Sequence, residues 1–142
     1  MADGLLLATQ VGIRAALAAN SGVTDIVSSR IYDEPPQDVV FPYVRFNAIT
    51  PNAFDTDTIE GAEVSISIEA HSRSASGRVE AAQVAEAIKT ALHRQEVSVT
   101  VAGFNLVELI YQTFSVTRDA DGRGFTAVVL LQATIEADAY AP

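Results

Sequence analysis

The fold is indicated most clearly by the stretch Glu63-Val-Ser-Ile-Ser-Ile-Glu-Ala-His71. Apolar and polar residues alternate along its whole length, and successive side chains of a β-strand point to opposite faces of a sheet. One face of this strand therefore carries Val64, Ile66, Ile68 and Ala70, and the other carries Glu63, Ser65, Ser67, Glu69 and His71. This pattern is typical of an antiparallel sheet with one covered face and one polar face.

Two helices are predicted to cover that sheet. The first runs from about Leu5 to Ala19, and the turn-forming residues Asn20-Ser-Gly22 end it. The second runs from about Gly77 to Arg94, with Glu80 and Lys89 placed to suit the two ends of the helix dipole. Apolar residues recur at helical spacing in both. They are Leu6, Ile13, Ala16 and Leu17 in the first helix, and Ala81, Val84, Ala85, Ile88 and Leu92 in the second.

Four more strands are predicted around the clearest one. The first follows residues 23–42, which we expect to be irregular because Pro35-Pro36 and Pro42 cannot join a central strand. The predicted strands are Tyr43–Ile49, Val97–Ala102, Leu106–Thr117 and Phe125–Ala137, the last two joined by a hairpin at Asp119–Gly122. The order α-β-β-α-β-β-β predicts an α+β fold, a mainly antiparallel sheet with two helices packed on one face. We expect one domain over residues 1–142.

The last strand has two apolar residues on its polar face. Val128 and Leu130 lie there between Thr126 and Gln132, opposite an inward set that runs from Phe125 to Ile135. An apolar pair on a face expected to meet water suggests that something covers it. Contact between subunits and a neighbouring loop of the same chain are equally good candidates.

An acidic segment from Pro51 to Gly61 is predicted to be a loop, because it shows neither strand nor helix periodicity. Loops of this length inside a compact domain are usually functional or disordered. Two apolar and three acidic residues favour a loop that is mobile in the free subunit and orders against a neighbour. We expect Phe54 to be the anchor of an interface that also includes Asp55, Asp57, Ile59 and Glu60. The three acids could hold a cation loosely, although such clusters are more often solvated.

Composition excludes several classes of function. Nine basic and eighteen acidic residues give a net charge of −9, and the basic residues are scattered, so gripping nucleic acid is not expected. There are no cysteines, which excludes disulfides and thiolate sites. No apolar run approaches the roughly 20 residues that span a bilayer. The first residues lack the basic region of a secretory signal, so we expect no membrane partner.

No constellation of residues predicts catalysis, and we expect no catalytic residue, no cofactor and no metal site. His71 extends the polar face of a strand, and His93 lies in the last turn of a helix, where a cation is favoured. Asp119-x-Asp121 resembles the start of a calcium loop, but Leu130 stands where the loop requires a bidentate glutamate. The serine-rich run Ser72–Gly77 leads into a helix N-terminus, which favours capping over anion binding.

A known family shares the order and spacing of several pieces of this chain. After the N-terminal helix come Arg30-Ile-Tyr-Asp33, a proline-bearing crossing that ends at Pro42-Tyr-Val44, and the acidic segment with Gly61. The alternating strand then runs into Ser72-Arg73, and the remaining pieces are the helix ending Ala91-Leu-His93 and the turn Arg118–Gly122. In these features the chain resembles the tail-completion, or tail-terminator, family of siphophage-like tails and gene transfer agents. The family commonly has an aromatic residue before the Ser-Arg pair, where this chain has His71.

The resemblance implies a structural virion component and not an enzyme. It implies a homohexameric ring at the head-proximal end of the tail tube, assembled in the host cytoplasm, that stops polymerisation of the major tail tube protein. Its other partner would be the head-side connector or stopper, and DNA would pass through the lumen without specific binding. Two alternatives stay open: another connector component, such as a stopper or adaptor, and a soluble α+β ligand-binding domain.

Overall fold

The computed structural model describes residues 2–55 and 60–137. The helices in this part of the chain are α1 (Ala2–Ala18), α2 (Ser21–Val27) and α3 (Arg78–Leu92), with a 3₁₀ helix at Glu96–Ser98. The strands are β1 (Ile31–Tyr32), β2 (Tyr43–Asp55), β3 (Glu60–Ser72), β4 (Phe104–Arg118) and β5 (Phe125–Ala137). They form one sheet in the order β1-β2-β3-β5-β4, antiparallel except between β1 and β2. The predicted α+β class is confirmed.

The core lies between the helices and one face of the sheet, called here the covered face. β3 and β5 form its centre, where the register pairs Ile66 with Leu131 and Ile68 with Val129, all four buried. All five residues of the apolar stripe predicted for α3 are buried. The alternation that predicted β3 is therefore confirmed, and the opposite face, called here the open face, carries its polar residues.

A second helix replaces part of the segment that was predicted to be irregular. The Oδ1 atom of Asn20 accepts a hydrogen bond from the backbone N–H of Val23 at 3.3 Å, so Asn20 caps α2 at its N-terminal end. Val23 and Val27 lie one turn apart and are both buried. The prediction was wrong here because Asn20-Ser-Gly22 was interpreted only as the end of the first helix. The same asparagine starts the next helix.

The strand predicted over Val97–Ala102 is absent from the described structure. A 3₁₀ helix begins the segment, and Val97 is 100% exposed, while Val99 and Val101 are buried. The backbone of Thr100 lies so close to α1 that a Cβ atom at Gly12 would overlap its carbonyl oxygen. Glycine at position 12 therefore allows α1 to cover this segment, which packs as irregular chain and does not pair with the sheet.

The acidic segment is partly strand. β2 continues to Asp55 and β3 begins at Glu60, and the backbone register pairs Asp55 with Glu60 and Phe54 with Gly61. The loop prediction was therefore wrong for residues 51–55 and 60–61. Pro51 cannot donate a backbone hydrogen bond to a neighbouring strand. It is tolerated here because β1 has only two residues, which leaves this end of β2 as an edge of the sheet.

One residue of the predicted α1 stripe faces the other way. Ile13 and Leu17 are buried as expected, but Leu6 is 43% exposed. The buried row instead contains Leu5 and Thr9, and the Thr9 hydroxyl donates a hydrogen bond of 2.7 Å to the Leu5 carbonyl. A threonine satisfied by the carbonyl four residues earlier can enter the core, which the apolar pattern alone did not show.

Candidate functional site

The open face of the sheet is the first candidate surface. The ladder registers place Glu63, Ser65, Ser67, Glu69 and His71 of β3 there, between residues of β2 and β5. Its polar groups are joined across the strands: the Ser65 hydroxyl donates to Gln132 Oε1 at 3.1 Å, and Gln132 Nε2 donates to Glu63 Oε1 at 3.0 Å. These bonds hold side chains flat along the sheet, so the face is ordered before any partner arrives.

Val128 and Leu130 interrupt this polar network. Val128 lies between Glu69 of β3 and Ser115 of β4, and Leu130 lies between Ser67 and Thr113. Val128 is half-buried by its neighbours, while Leu130 remains 38% exposed. No segment among residues 2–55 and 60–137 closes over Leu130. The sequence therefore placed both residues on the correct face, and their role as an interface remains a prediction.

Ile110 adds a third apolar residue that the sequence did not reveal. The register pairs Ile110 with Gln132, so it lies on the open face diagonally from Leu130, and it is half-buried. β4 contains two register shifts, between Leu106 and Glu108 and between Tyr111 and Thr113. Each bulge reverses the side on which later residues lie, so simple alternation cannot assign the faces of β4.

His71 is held at the other end of the open face. Its ring stacks on Tyr43, with centroids 4.8 Å apart and an angle of 12° between the planes. Its Nε2 atom lies 2.8 Å from Glu69 Oε1, and its Nδ1 atom lies 3.1 Å from the Thr126 hydroxyl. That hydroxyl donates to Asp119 at 2.5 Å. Burial raises the pKa of the Tyr43 phenol above its ordinary value.

This network is structural in form. Glu69, two residues earlier on the same face, gives His71 an acidic partner that the sequence pattern alone did not indicate. The order carboxylate, imidazole, hydroxyl resembles a nucleophile with its base, but the Thr126 hydroxyl directs its proton to Asp119 and not to His71. The bonds tie β3 to the turn between β4 and β5. His71 also occupies the family's aromatic position as a stacked ring.

His93 and Glu96 cover part of the outer edge of β4. The Nδ1 atom of His93 accepts the backbone N–H of Tyr111 at 2.9 Å, and Glu96 Oε2 accepts that of Leu109 at 2.8 Å. This hydrogen bond lowers the pKa of Glu96. Its position at a helix end favours a cation, but here the Nδ1 atom of His93 acts as an acceptor at the edge of the sheet. An open edge strand can pair with a strand of another molecule. The side chains of His93 and Glu96 block such pairing at the middle of β4.

The interface predicted for the acidic segment cannot be located in the same way. The structure describes only the backbone of Phe54, Asp55 and Glu60, and Asp57 and Ile59 lie outside the described residues. The backbone register places Gly61 opposite Glu136, so this end of the β2–β3 hairpin lies level with the end of β5. Six residues of β5, about 20 Å, separate this end of the sheet from Leu130 on the open face.

Within residues 2–55 and 60–137, no group of three or more histidine, aspartate or glutamate side chains is placed to hold a metal ion. The helices that the structure describes are too short or too polar to cross a membrane. What the surface offers is an ordered sheet face with an apolar centre and acidic surroundings. Such a face is suited to binding another protein.

Comparison with known protein families shows which class of protein this chain belongs to. The family model of tail completion protein gp17 matches residues 11–136, which is most of the chain. The chain is therefore a structural component of a virion tail. It belongs to the tail completion protein gp17 family.

A solved structure shares the fold. A chain in the virion of a native gene transfer agent particle superimposes with a TM-score of 0.85 at 20% sequence identity, over 94% of this chain and 98% of that one. No curated protein sequence matches this chain. The resemblance inferred from the sequence is confirmed by the family match and by this structural likeness.

Proposed function

We propose that this chain forms a ring of six copies that caps the head-proximal end of a tail tube. The ring stops polymerisation of the major tail tube protein and presents its other side to the head-side connector or stopper. The whole of residues 1–142 acts as one domain in this ring. The observation that carries the proposal is the family match over residues 11–136, since members of this family complete tails.

The dimensions of the subunit support a ring with a channel. A chain of 142 residues has a radius of gyration of about 14–15 Å, hence a diameter of roughly 37 Å if taken as a sphere. Six touching spheres surround a hole one sphere wide, so a duplex about 20 Å across fits through it by the same estimate. The difference of about 17 Å leaves room for side chains that project into the hole.

The charge of the chain supports passage of DNA without binding. The net charge is −9, so phosphates near the channel meet no field that favours adhesion. At physiological salt, screening limits the reach of this repulsion to about 8 Å, so it acts only in the gap between the duplex and the wall of the channel. DNA therefore passes through the lumen without specific contacts.

The open face supports contact with another protein. Leu130 is exposed in the isolated subunit, and Val128 and Ile110 lie beside it. When a partner covers a nonpolar group that is exposed to water in the monomer, the free energy falls by about 25 cal/mol for each Å² buried.

The experiment is negative-stain imaging of the purified chain mixed with purified tail tubes. We expect one ring at one end of each tube, sixfold in averaged end views, and no further growth when major tail tube protein is added. A stopper or adaptor would bind only to tubes that are already capped. A ligand-binding domain would bind to neither, and uncapped tubes that continue to grow would contradict the proposal.

A further inference from the structure

The outer face of α1 is an apolar surface that no other part of residues 2–55 and 60–137 covers. Leu7 is 63% exposed and Val11 is 58% exposed, one helical turn apart. They lie on the side of the helix opposite to the buried row that contains Ile13 and Leu17. A helix that needed only to cover the sheet would carry polar residues on this side. α1 therefore has two apolar faces, and the subunit buries one of them.

Arg14 supplies the charge of this outer face. It is the only charged residue between positions 4 and 18, and its spacing of seven residues from Leu7 places it on the same side of the helix. It is exposed, and its Nε atom donates a bond of 3.3 Å to the Ile31 carbonyl. The surface formed by Leu7, Val11 and Arg14 is called here the α1 outer face.

The open face offers the complementary chemistry. Ile110, Val128 and Leu130 form its apolar patch, and the exposed carboxylate of Glu108 lies two residues from Ile110 on the same strand. The Glu108 carboxylate makes no hydrogen bond or ion pair with another described residue, whereas the Glu69 carboxylate has the nearby groups of Arg45 and His71. A basic group brought by a partner would therefore meet an available carboxylate beside the patch.

Charge decides how two copies can meet. Two α1 outer faces packed together would bring two Arg14 side chains into one interface, and two open faces would bring two sets of carboxylates together. A helix-to-sheet contact places Arg14 near Glu108 and leaves apolar residues against apolar residues. Like charges brought together at an interface are costly, so the mixed contact is the favourable one.

The two surfaces also have the positions and lengths that a ring requires. α1 covers one side of the sheet and the open face is the other, so the contact joins the front of one subunit to the back of the next. Such a heterologous contact closes into a ring when its rotation is right. The helix has 17 residues, about 25 Å in length. The 13-residue strands, about 44 Å long, can seat it.

We infer that the α1 outer face of one copy docks on the open face of the next copy, with Leu7 and Val11 against Ile110, Val128 and Leu130. The inference rests on the proposed ring and names the surfaces that build it.

The absence of cysteine makes this contact measurable by crosslinking. Val11→Cys and Leu130→Cys would introduce the only thiols in the chain. Particles assembled with the double variant are treated with a short thiol-specific crosslinker and run on a denaturing gel. The matched control replaces Val11→Cys with Val79→Cys, which places the thiol at an equally exposed valine on α3. Thermal unfolding of each purified variant checks that it folds.

The expected result is a ladder from dimer to hexamer for the double variant. Particles assembled from a mixture of the two single variants should give dimers only, because each contact then joins one helix thiol to one sheet thiol. Each single variant alone, and the control pair, should give monomers. If the variants do not enter particles, the same pattern is sought with concentrated protein in solution, and its absence counts equally against the inference.

Two results would overturn the inference. The first is efficient crosslinking of a single variant, which shows that like surfaces meet. The second is the absence of crosslinks in the double variant. Neither bears on the proposed function, which fails separately if the wild-type chain is not found at the head-proximal end of tails.

Discussion

The two faces of the sheet obey the same alternation but have different tasks. On the covered face, Ile66, Ile68, Val129 and Leu131 are buried against the helices within one subunit. On the open face, the same two strands carry a bonded polar network that Val128 and Leu130 interrupt. The covered face is complete in the monomer, whereas the open face has apolar surface left over. The difference suggests that folding depends on the first face and assembly on the second.

The largest expected effect is on the free energy of unfolding, at two neighbouring leucines of β5 that lie on opposite faces of the sheet. Leu131→Ala opens a cavity in the core and should lower the free energy of unfolding by about 2–5 kcal/mol. Leu130→Ala, one residue earlier, should lower it by less than about 1 kcal/mol, because surface substitutions cost little. Urea denaturation of the purified variants measures both values. Equal losses would show that the open face also belongs to the folding core.

The next prediction concerns assembly. Val128→Asp with Leu130→Lys places charges in the apolar patch and should leave the subunit soluble while impairing ring formation, because a buried unpaired charge costs several kcal/mol at an interface. Light scattering and imaging of particles measure the rings. Val79→Asp is the control, since Val79 is an exposed valine on α3, and α3 packs on the covered face. Normal rings from the double variant would eliminate the open face as an assembly surface.

A third prediction extends the comparison to the end of the β2–β3 hairpin. If Phe54 anchors a contact with a neighbour or the tail tube, Phe54→Ala should cost about 2 kcal/mol or more of binding. The subunit should fold normally yet give over-long or headless tails in a complementation assay. Asn52→Ala, two residues earlier in the same strand, should give normal tails. Normal tail length and infectivity with Phe54→Ala would confine the interface to the sheet.

The smallest effect should be a dependence on pH at the edge of β4. The hydrogen bond from the Leu109 N–H lowers the pKa of Glu96 below its ordinary value of 4.5. An acid with a lowered pKa in the folded chain stabilises it above the ordinary value, and the contribution disappears as the pH falls through the lowered pKa. Thermal unfolding of Glu96→Gln should therefore change less between pH 6 and pH 3 than that of the wild type. Equal curves would show that this bond contributes nothing.

Sequence periodicity predicted the elements whose side chains alternate without interruption. β3, β5 and the stripe of α3 are correct because each lies regularly against one core. β4 contains two bulges, so the side on which Ile110 lies could not be inferred from spacing. The contact between Gly12 and Thr100 joins residues far apart in sequence, and it lets α1 cover the segment that was predicted to be a strand. Such contacts follow from packing, which one-dimensional patterns do not contain.

The candidate surfaces were also predicted only where a local sequence pattern indicated them. Val128 and Leu130 were found because they break an alternation, which is a local signal. The α1 outer face was missed because Leu6 was assigned to the buried stripe in place of Leu5, a shift of one residue that also obscured which residues remain outside. The bonds of His71 to Thr126 and of His93 to Tyr111 were missed since they depend on strand register.

The proposed role of this chain is to end the growth of the tail tube. The most direct measurement is the length distribution of tails from cells that lack the chain, before and after purified wild-type chain is supplied during assembly. We expect over-long tails without heads in its absence, and a return to one length with heads attached when it is supplied. Tails of unchanged length in its absence would contradict the claim.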